Sequence, residues 1–219
     1  MARVVRVALR EIARRGGDGE VVVVDDGSTD GTGVAARAVG DPRVRVVRHG
    51  VSRGYGAALR TGFGHARGGL VFFTDADGQF DVAELGRLEA WVTRFDLVVG
   101  YRAPRRDGWY RGALGWGWSR LLDTTLGVGV RDVDCAFKLV RRQALLDLGL
   151  VSRGAFVNGE LLARARARGL SVKEVPVTHF PRPAGVASGA RLRVGARAVR
   201  ELCQLAPELR RLGVSGEAD

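Results

Sequence analysis

The feature that most constrains the fold of this sequence is a repeated pairing of a short apolar run with an aspartate-rich turn. Val21 to Val24 lead directly into an Asp-Asp-Gly-Ser turn at 25–28, and Leu70 to Phe73 lead into an Asp-Ala-Asp-Gly turn at 75–78. Apolar runs of this length bounded by turn formers are typical of buried strands. Segments with helical spacing of apolar residues lie between them. This alternation predicts an α/β fold with a mostly parallel sheet covered by helices on both faces.

The same patterns place the expected elements along the chain. Helices are expected at 3–15, 31–39, 54–67, 81–94, 108–126 and 159–168, and strands at 20–24, 43–48, 69–74, 96–100, 133–140 and 171–177. We expect one domain over residues 1–185 and a basic amphipathic C-terminal tail over 186–219. The tail either lies on anionic lipid or packs as a solvated surface helix, and Pro207 is expected to bend it.

Four carboxylates are expected along one edge of the sheet, at the carboxyl ends of these strands, where open α/β sheets bind ligands. They are Asp25, Asp26, Asp75 and Asp77. Carboxylates so close together repel one another unless a cation lies among them. Mg²⁺ takes one or two carboxylates from protein and completes its shell with water and substrate phosphates, which suits Asp75-x-Asp77. Such motifs are also common turn formers without a ligand, so both interpretations stay open.

Charge and cysteine content narrow the function classes. The chain of 219 residues has 35 Lys and Arg against 24 Asp and Glu, a formal charge of +11, and nearly all its cations are arginines. An anionic partner is indicated, whether nucleic acid, an anionic membrane face or a phosphorylated substrate. Without a helix-turn-helix, zinc or aromatic-sheet motif, nucleic acid is disfavoured. Two cysteines and short apolar runs predict a cytoplasmic protein, or one held peripherally at the cytoplasmic membrane face.

Three segments carry a resemblance to a known family. Residues 21–32, 53–62 and 73–80 look like the corresponding motifs of family 2 glycosyltransferases, in the same order and spacing. The segments 99–102, 132–138 and 174–177 are similar to the dolichyl or polyprenyl phosphate mannosyl- and glucosyltransferase branch. The resemblance covers about residue 3 to about residue 185. It implies a GT-A fold and inverting transfer of a hexose from a nucleotide sugar of the GDP-mannose or UDP-glucose type to a polyprenyl phosphate, with Mg²⁺ or Mn²⁺.

The resemblance also implies roles at the donor end of the site. Asp26 would contact the nucleoside with Asp25 supporting it, and Gly56 matches the donor loop, although relatives often carry Gly-Lys-Gly there. Asp75 and Asp77 would act in catalysis by holding the metal and the donor diphosphate. Gln79 matches a position that often assists them.

At the acceptor end, the resemblance places cations near the acceptor phosphate at Arg102, Arg111 and Lys138. A polyprenyl phosphate is already an anionic nucleophile, so charge placement replaces a strong general base. Ordinary surface arginines are an equally good interpretation in a chain so rich in them. Three acidic residues, Asp132, Asp134 and Glu160, are candidates for lining the acceptor site, and the first two are equally suited to orienting the 137–141 segment. The three histidines are assigned to surface or capping positions.

The family pattern begins with a strand and a Pro-x-Tyr-Asn-Glu-like stretch that this sequence does not contain. The sequence starts inside what corresponds to the first helix, so we expect an upstream extension of the reading frame to reveal that strand. The alternative is an inactive truncated remnant that binds nucleotide or a partner. A haloacid-dehalogenase-like phosphatase is a further alternative for residues 71–78, although that motif normally opens its fold.

Overall fold

The computed structural model of the chain describes residues 1–103, 109–181 and 192–216. Its helices are α1 (Ala2–Arg14), α2 (Thr32–Arg37), α3 (Tyr55–His65), α4 (Leu85–Glu89), α5 (Trp109–Leu126), α6 (Arg142–Asp147), α7 (Val157–Ala167) and α8 (Leu192–Gly216). A 3₁₀ turn, Val82–Glu84, precedes α4. The strands are β1 (Val21–Asp25), β2 (Val44–Arg48), β3 (Leu70–Thr74), β4 (Leu97–Arg102), β5 (Phe137–Arg141) and β6 (Val172–Val177). The predicted α/β class is confirmed.

The strands form two sheets. β1 and β2 pair in parallel, with Val23 opposite Val46. The other four strands follow the order β3-β5-β4-β6. β5 runs antiparallel to both of its neighbours, whereas β4 and β6 are parallel. The four-stranded sheet is therefore mixed, and the expectation that β1 and β3 share one sheet edge is wrong, because no ladder joins them.

The core is built mainly on the four-stranded sheet. Leu97, Val99 and Val140 are buried there with Leu161 and Leu162 of α7. A second apolar cluster includes Val98, Phe137 and Leu139, and a third joins α1 and α2 to β1. Helices pack against both sheets, including α3 on β1 and α6 on β5.

The C-terminal segment 192–216 is a helix that packs against the domain. Ala198, Leu202 and Leu209 of α8 are buried, and the helix contacts α7 and α5. Pro207 lies inside the helix, which continues on both sides of it. Among the residues that the structure describes, no helix combines the length and apolarity needed to cross a bilayer.

Two element predictions need correction, and one helix was not predicted. The strand expected from 133 begins at Phe137, because the carbonyl oxygens of Val133 and Cys135 accept hydrogen bonds from the Lys138 ammonium. The helix expected over 81–94 is divided into the 3₁₀ turn and the short α4. The unpredicted helix is α6, which follows β5 without a turn.

Candidate active site

Asp26, just after β1, organises the loop that leads into α3. One carboxylate oxygen lies 2.6 Å from His49 Nδ1 and accepts the Arg53 N–H at 2.9 Å. The other accepts the Ser52 hydroxyl at 2.8 Å and the Gly54 N–H at 2.9 Å. Burial acts to raise the pKa of Asp26, but these donors outweigh it and lower the pKa to about 2. The carboxylate thus ties β1 to the whole 49–54 loop.

Asp25, the last residue of β1, is buried and stabilises its own turn. Its carboxylate accepts the Ser28 N–H at 2.8 Å and lies 3.6 Å from the Arg48 guanidinium. The Ser28 backbone donor is the main cause that lowers the pKa of Asp25. A hollow of about 200 Å³ opens beside this carboxylate, lined also by Thr29 and Gly31. The hollow is a candidate for part of a nucleoside site.

The start of α3 packs closely against the loop at 152–154. Gly54 adopts a positive φ of 103°, a backbone conformation that favours glycine. The Gly56 N–H donates to the Arg153 carbonyl at 2.9 Å. A methyl group on Gly56 would lie 2.6 Å from the Ser152 carbonyl oxygen. Gly56 therefore allows a close approach of two backbones, a role that does not require contact with a donor.

Asp75 and Asp77 follow β3 directly and are both half-buried. Asp77 accepts the Gln79 N–H at 3.0 Å, which closes the turn. The Gln79 carboxamide donates to the Phe180 carbonyl at 3.0 Å, so the predicted metal-assisting side chain also ties this turn to the segment after β6. Asp75 faces Tyr55, the residue after Gly54. The start of α3 therefore joins the Asp75 and Asp26 loops at one rim, although they follow strands of different sheets.

The donor set at this rim fits a hard divalent cation that shares its ligands with a substrate. In the described ranges, no group of three or more His, Cys, Asp and Glu side chains is arranged to hold a metal. A cation held by protein alone is not supported there. Mg²⁺ and Mn²⁺ suit sites with only one or two carboxylates, where phosphate oxygens and water complete the shell. Asp75 and Asp77 meet that requirement.

The end of β4 carries a buried ion pair. The Arg102 guanidinium donates to both carboxylate oxygens of Asp132, each at 2.7 Å, and the Arg102 N–H also bonds Asp132 at 3.2 Å. Both side chains are largely buried. Asp134, two residues on, keeps solvent access. Desolvation by the surrounding protein nevertheless raises the pKa of Asp134, although the nearby Lys138 ammonium acts to lower it.

Lys138 lies in β5 and is fully buried. Its ammonium donates to the Val133 carbonyl at 3.0 Å, to the Cys135 carbonyl, and to the Asn158 side-chain oxygen at 3.0 Å. These three acceptors match the three N–H donors of a lysine. Burial lowers the pKa of Lys138. Its predicted contact with an acceptor phosphate would require one of these bonds to break, and it stays a prediction.

Glu160 on α7 is fully buried beneath the 151–154 loop. It accepts the N–H groups of Val151 at 3.0 Å and Ser152 at 2.8 Å, and it pairs with Arg164 at 2.8 Å. Arg164 also pairs with Glu208 of α8 at 2.9 Å. The geometry gives Glu160 a role in holding the loop, and its predicted place in an acceptor site remains untested.

Arg111 lies in α5, but its side chain is outside the described part of the structure. Further along α5, a groove of about 590 Å³ is lined by Trp116, Ser119 and Arg120, and by Val130 and Arg131 of the following loop. Among the α5 side chains that the structure describes, four large apolar ones are exposed, namely Tyr110, Leu114, Trp116 and Leu121. The surface of α5 thus combines apolar and cationic groups.

Three residues of the site were missed at the sequence level. His49, expected at a surface or capping position, is instead buried, and its Nε2 atom lies 3.0 Å from the Thr61 hydroxyl. The sequence patterns assign no role to Tyr55 or Asn158. Their partners lie far away in the sequence, so no local pattern indicates the contacts.

Comparisons with known proteins bear on this site. The family model described as Glycosyl transferase family 2 matches residues 2–149. Polyprenol monophosphomannose synthase of Mycolicibacterium smegmatis is 40% identical over 194 residues, which cover 79% of this chain and 72% of that protein. Dolichyl-phosphate beta-glucosyltransferase ALG5C of Trichomonas vaginalis is 36% identical over 176 residues, which cover 72% of this chain but only 52% of that protein.

The fold is also similar to solved structures. The crystal structure of glucosyl-3-phosphoglycerate synthase from Mycobacterium tuberculosis, in complex with Mn²⁺ and UDP-glucose, superposes with a TM-score of 0.67. It covers 94% of this chain and 70% of that one, at 21% identity. At that identity the similarity concerns the fold.

Proposed function

Since this chain belongs to glycosyltransferase family 2, we propose that it transfers a hexose, with inversion, from a nucleoside-diphosphate sugar to a polyprenyl phosphate. Mg²⁺ or Mn²⁺ would be held at Asp75 and Asp77. The observation that carries the proposal is the pair of half-buried carboxylates at the end of β3, beside the loop that Asp26 organises. Relatives named for polyprenol monophosphomannose and dolichyl-phosphate glucose support the acceptor class.

The donor would bind across the start of α3. Asp25 borders the hollow proposed for the nucleoside, and Asp26 shapes the wall formed by the 49–54 loop. Gly56 lets this wall lie close to the 152–154 loop. The diphosphate would then reach Asp75 and Asp77 with its cation. When bound, the cation would neutralise the charge that develops on the departing diphosphate.

The acceptor phosphate would approach from the side of β4 and α5. Asp132 holds Arg102 in a fixed position at the end of β4, and we assign Arg102 and Arg111 to the acceptor phosphate. Asp134 would line the same site, and the buried Lys138 would contribute positive charge from behind it. Glu160 would support the site through the 151–154 loop. Because the acceptor phosphate is already anionic, correctly placed cations can replace a general base.

The surface of α5 suits a lipid acceptor at an anionic membrane face. Leu114 and Trp116 are exposed on α5. The groove beside them is lined by Arg120 of the same helix and by Arg131 of the following loop. Apolar and aromatic side chains beside cations favour a membrane interface. The transferase unit would be residues 1–185, with the helix of the 186–219 segment packed against it.

The test is transfer of labelled hexose from UDP-glucose and, separately, from GDP-mannose into solvent-extractable lipid in the presence of a polyprenyl phosphate. We expect Mn²⁺-dependent labelling that a chelator abolishes and that Asp75→Asn lowers at least about 100-fold. Asp18→Asn, at an exposed loop position, is the control and should retain wild-type activity. Absence of labelled lipid with both donors, or full activity of Asp75→Asn, would contradict the proposal.

A further inference from the structure

Resting on the proposed function, we infer that Tyr55 is a positioning residue for the metal site: its hydroxyl donates a hydrogen bond to the Asp75 carboxylate, while Asn158 holds that hydroxyl from behind. The residues come from three separate elements, the start of α3, the turn after β3 and the start of α7. The sequence resemblance gives Tyr55 no role, because relatives often have a different residue pattern there.

The position of the Tyr55 ring is fixed by its neighbours. The Gly54 N–H bonds Asp26, and the Gly56 N–H bonds the Arg153 carbonyl. The aromatic ring packs against the main apolar core. Because the backbone is fixed on both sides of Tyr55 and the ring is packed against the core, the hydroxyl is held in a defined direction. That hydroxyl faces Asp75 and Asn158.

Asn158 determines the direction of the hydrogen bonds. This residue is buried, and its side-chain oxygen accepts the Lys138 ammonium at 3.0 Å. An ammonium only donates, so the oxygen of the carboxamide must face Lys138 and the NH₂ group is left for Tyr55. The phenol oxygen then accepts from Asn158, and its one proton points to Asp75. The chain of donors runs from Lys138 through Asn158 and Tyr55 to the carboxylate.

An oriented Asp75 matters because a cation with so few protein ligands depends on each of them. Groups that hydrogen-bond a metal ligand fix its direction, and their loss typically lowers metal affinity by about 10- to 100-fold. Tyr55→Phe removes the hydroxyl and keeps the ring in the core. Tyr101→Phe is the matched control, because the Tyr101 ring lies under the Arg131 guanidinium, 5.0 Å away, and phenylalanine preserves that contact.

The experiment measures Mn²⁺ binding to the full chain by electron paramagnetic resonance, in the presence of UDP and, separately, of GDP. We expect Tyr55→Phe to weaken Mn²⁺ binding about 10-fold with the tighter nucleotide, and Tyr101→Phe to leave it unchanged. Circular dichroism should show both variants folded. In transfer assays, Tyr55→Phe should raise the Mn²⁺ concentration needed for half-maximal rate by a similar factor, with the KM for the lipid unchanged.

The outcomes separate this inference from the proposed function. Weaker Mn²⁺ binding by Tyr55→Phe in a protein that transfers no sugar would support the positioning role and contradict the function. Wild-type Mn²⁺ affinity in Tyr55→Phe, or an equal loss in Tyr101→Phe, would overturn the positioning role even if the wild-type protein transfers sugar. A wild-type chain that binds no Mn²⁺ with either nucleotide would overturn both.

Discussion

Replacing Asp26 by asparagine should destabilise the protein in a way that depends on pH. The Asp26 carboxylate takes donors from His49, Ser52, Arg53 and Gly54, and its pKa falls from 3.8 to about 2. At about 1.4 kcal/mol per pKa unit, this decrease corresponds to about 2 kcal/mol of stabilisation at neutral pH. An asparagine at this position would also turn an NH₂ group toward two of the donors.

The sign of the pH dependence follows from the lowered pKa. A carboxyl group that is more acidic in the folded state stabilises the protein above the unfolded-state pKa of about 4, and this contribution is lost as the pH falls toward 2. The stability difference between wild type and Asp26→Asn should therefore be largest at pH 7 and shrink by about 1 kcal/mol by pH 3. Contributions of the other carboxyl groups are common to both proteins and cancel.

Urea unfolding followed by circular dichroism, at several pH values between about 7 and 3, measures this difference. Asp18→Asn, the exposed control, should stay within about 0.5 kcal/mol of wild type. If Asp26 served mainly to contact the nucleoside, its replacement would raise the donor KM and leave the free energy of unfolding unchanged. That result, or a stability difference that does not vary with pH, would refute the reasoning.

Three further substitutions test the supports of the site by urea unfolding. Gly56→Ala places a methyl group 2.6 Å from the Ser152 carbonyl oxygen and should cost about 1–3 kcal/mol. The control Gly64→Ala, in the same helix, meets nothing within 4 Å and should stabilise the protein by up to about 1 kcal/mol. Equal effects of the two substitutions would contradict the close approach at Gly56. Glu160→Gln removes the buried charge that pairs with Arg164, which then keeps only its ion pair with the exposed Glu208, and should cost about 1.5–3 kcal/mol. A loss below about 1 kcal/mol would show that the buried pair is not needed. Lys138→Met leaves two carbonyl groups and the Asn158 oxygen without their donor and should cost about 2–4 kcal/mol; an unchanged stability would mean that other groups satisfy them.

The local part of the fold could be predicted from the sequence. β1 and β3 lie within a residue of the predicted strands, because continuous apolar runs end at aspartate-rich turns. The antiparallel direction of β5 could not be predicted, since its continuous buried run is the pattern that is typical of parallel strands. The start of β5 was also misplaced, because the buried Lys138 recruits the carbonyls before it.

The candidate site was also predictable only where its residues are close together in the sequence. The Asp75-x-Asp77 turn could be found because its residues are adjacent. The contacts of Tyr55 with Asp75 and Asn158 join residues about 20 and 100 positions apart, and only the packing of three elements brings them together. The burial of His49 escaped prediction for a similar reason, because its partner Asp26 follows a different strand.

The most direct test of the metal and donor site is the position of Mn²⁺ in crystals grown with Mn²⁺ and the nucleoside diphosphate that binds more tightly. An anomalous difference map identifies the ion without assuming its ligands. We predict a peak about 2 Å from a carboxylate oxygen of Asp75 or Asp77, beside the bound diphosphate. A bound nucleotide with Mn²⁺ at another group of side chains, such as Asp132 and Asp134, would contradict the account.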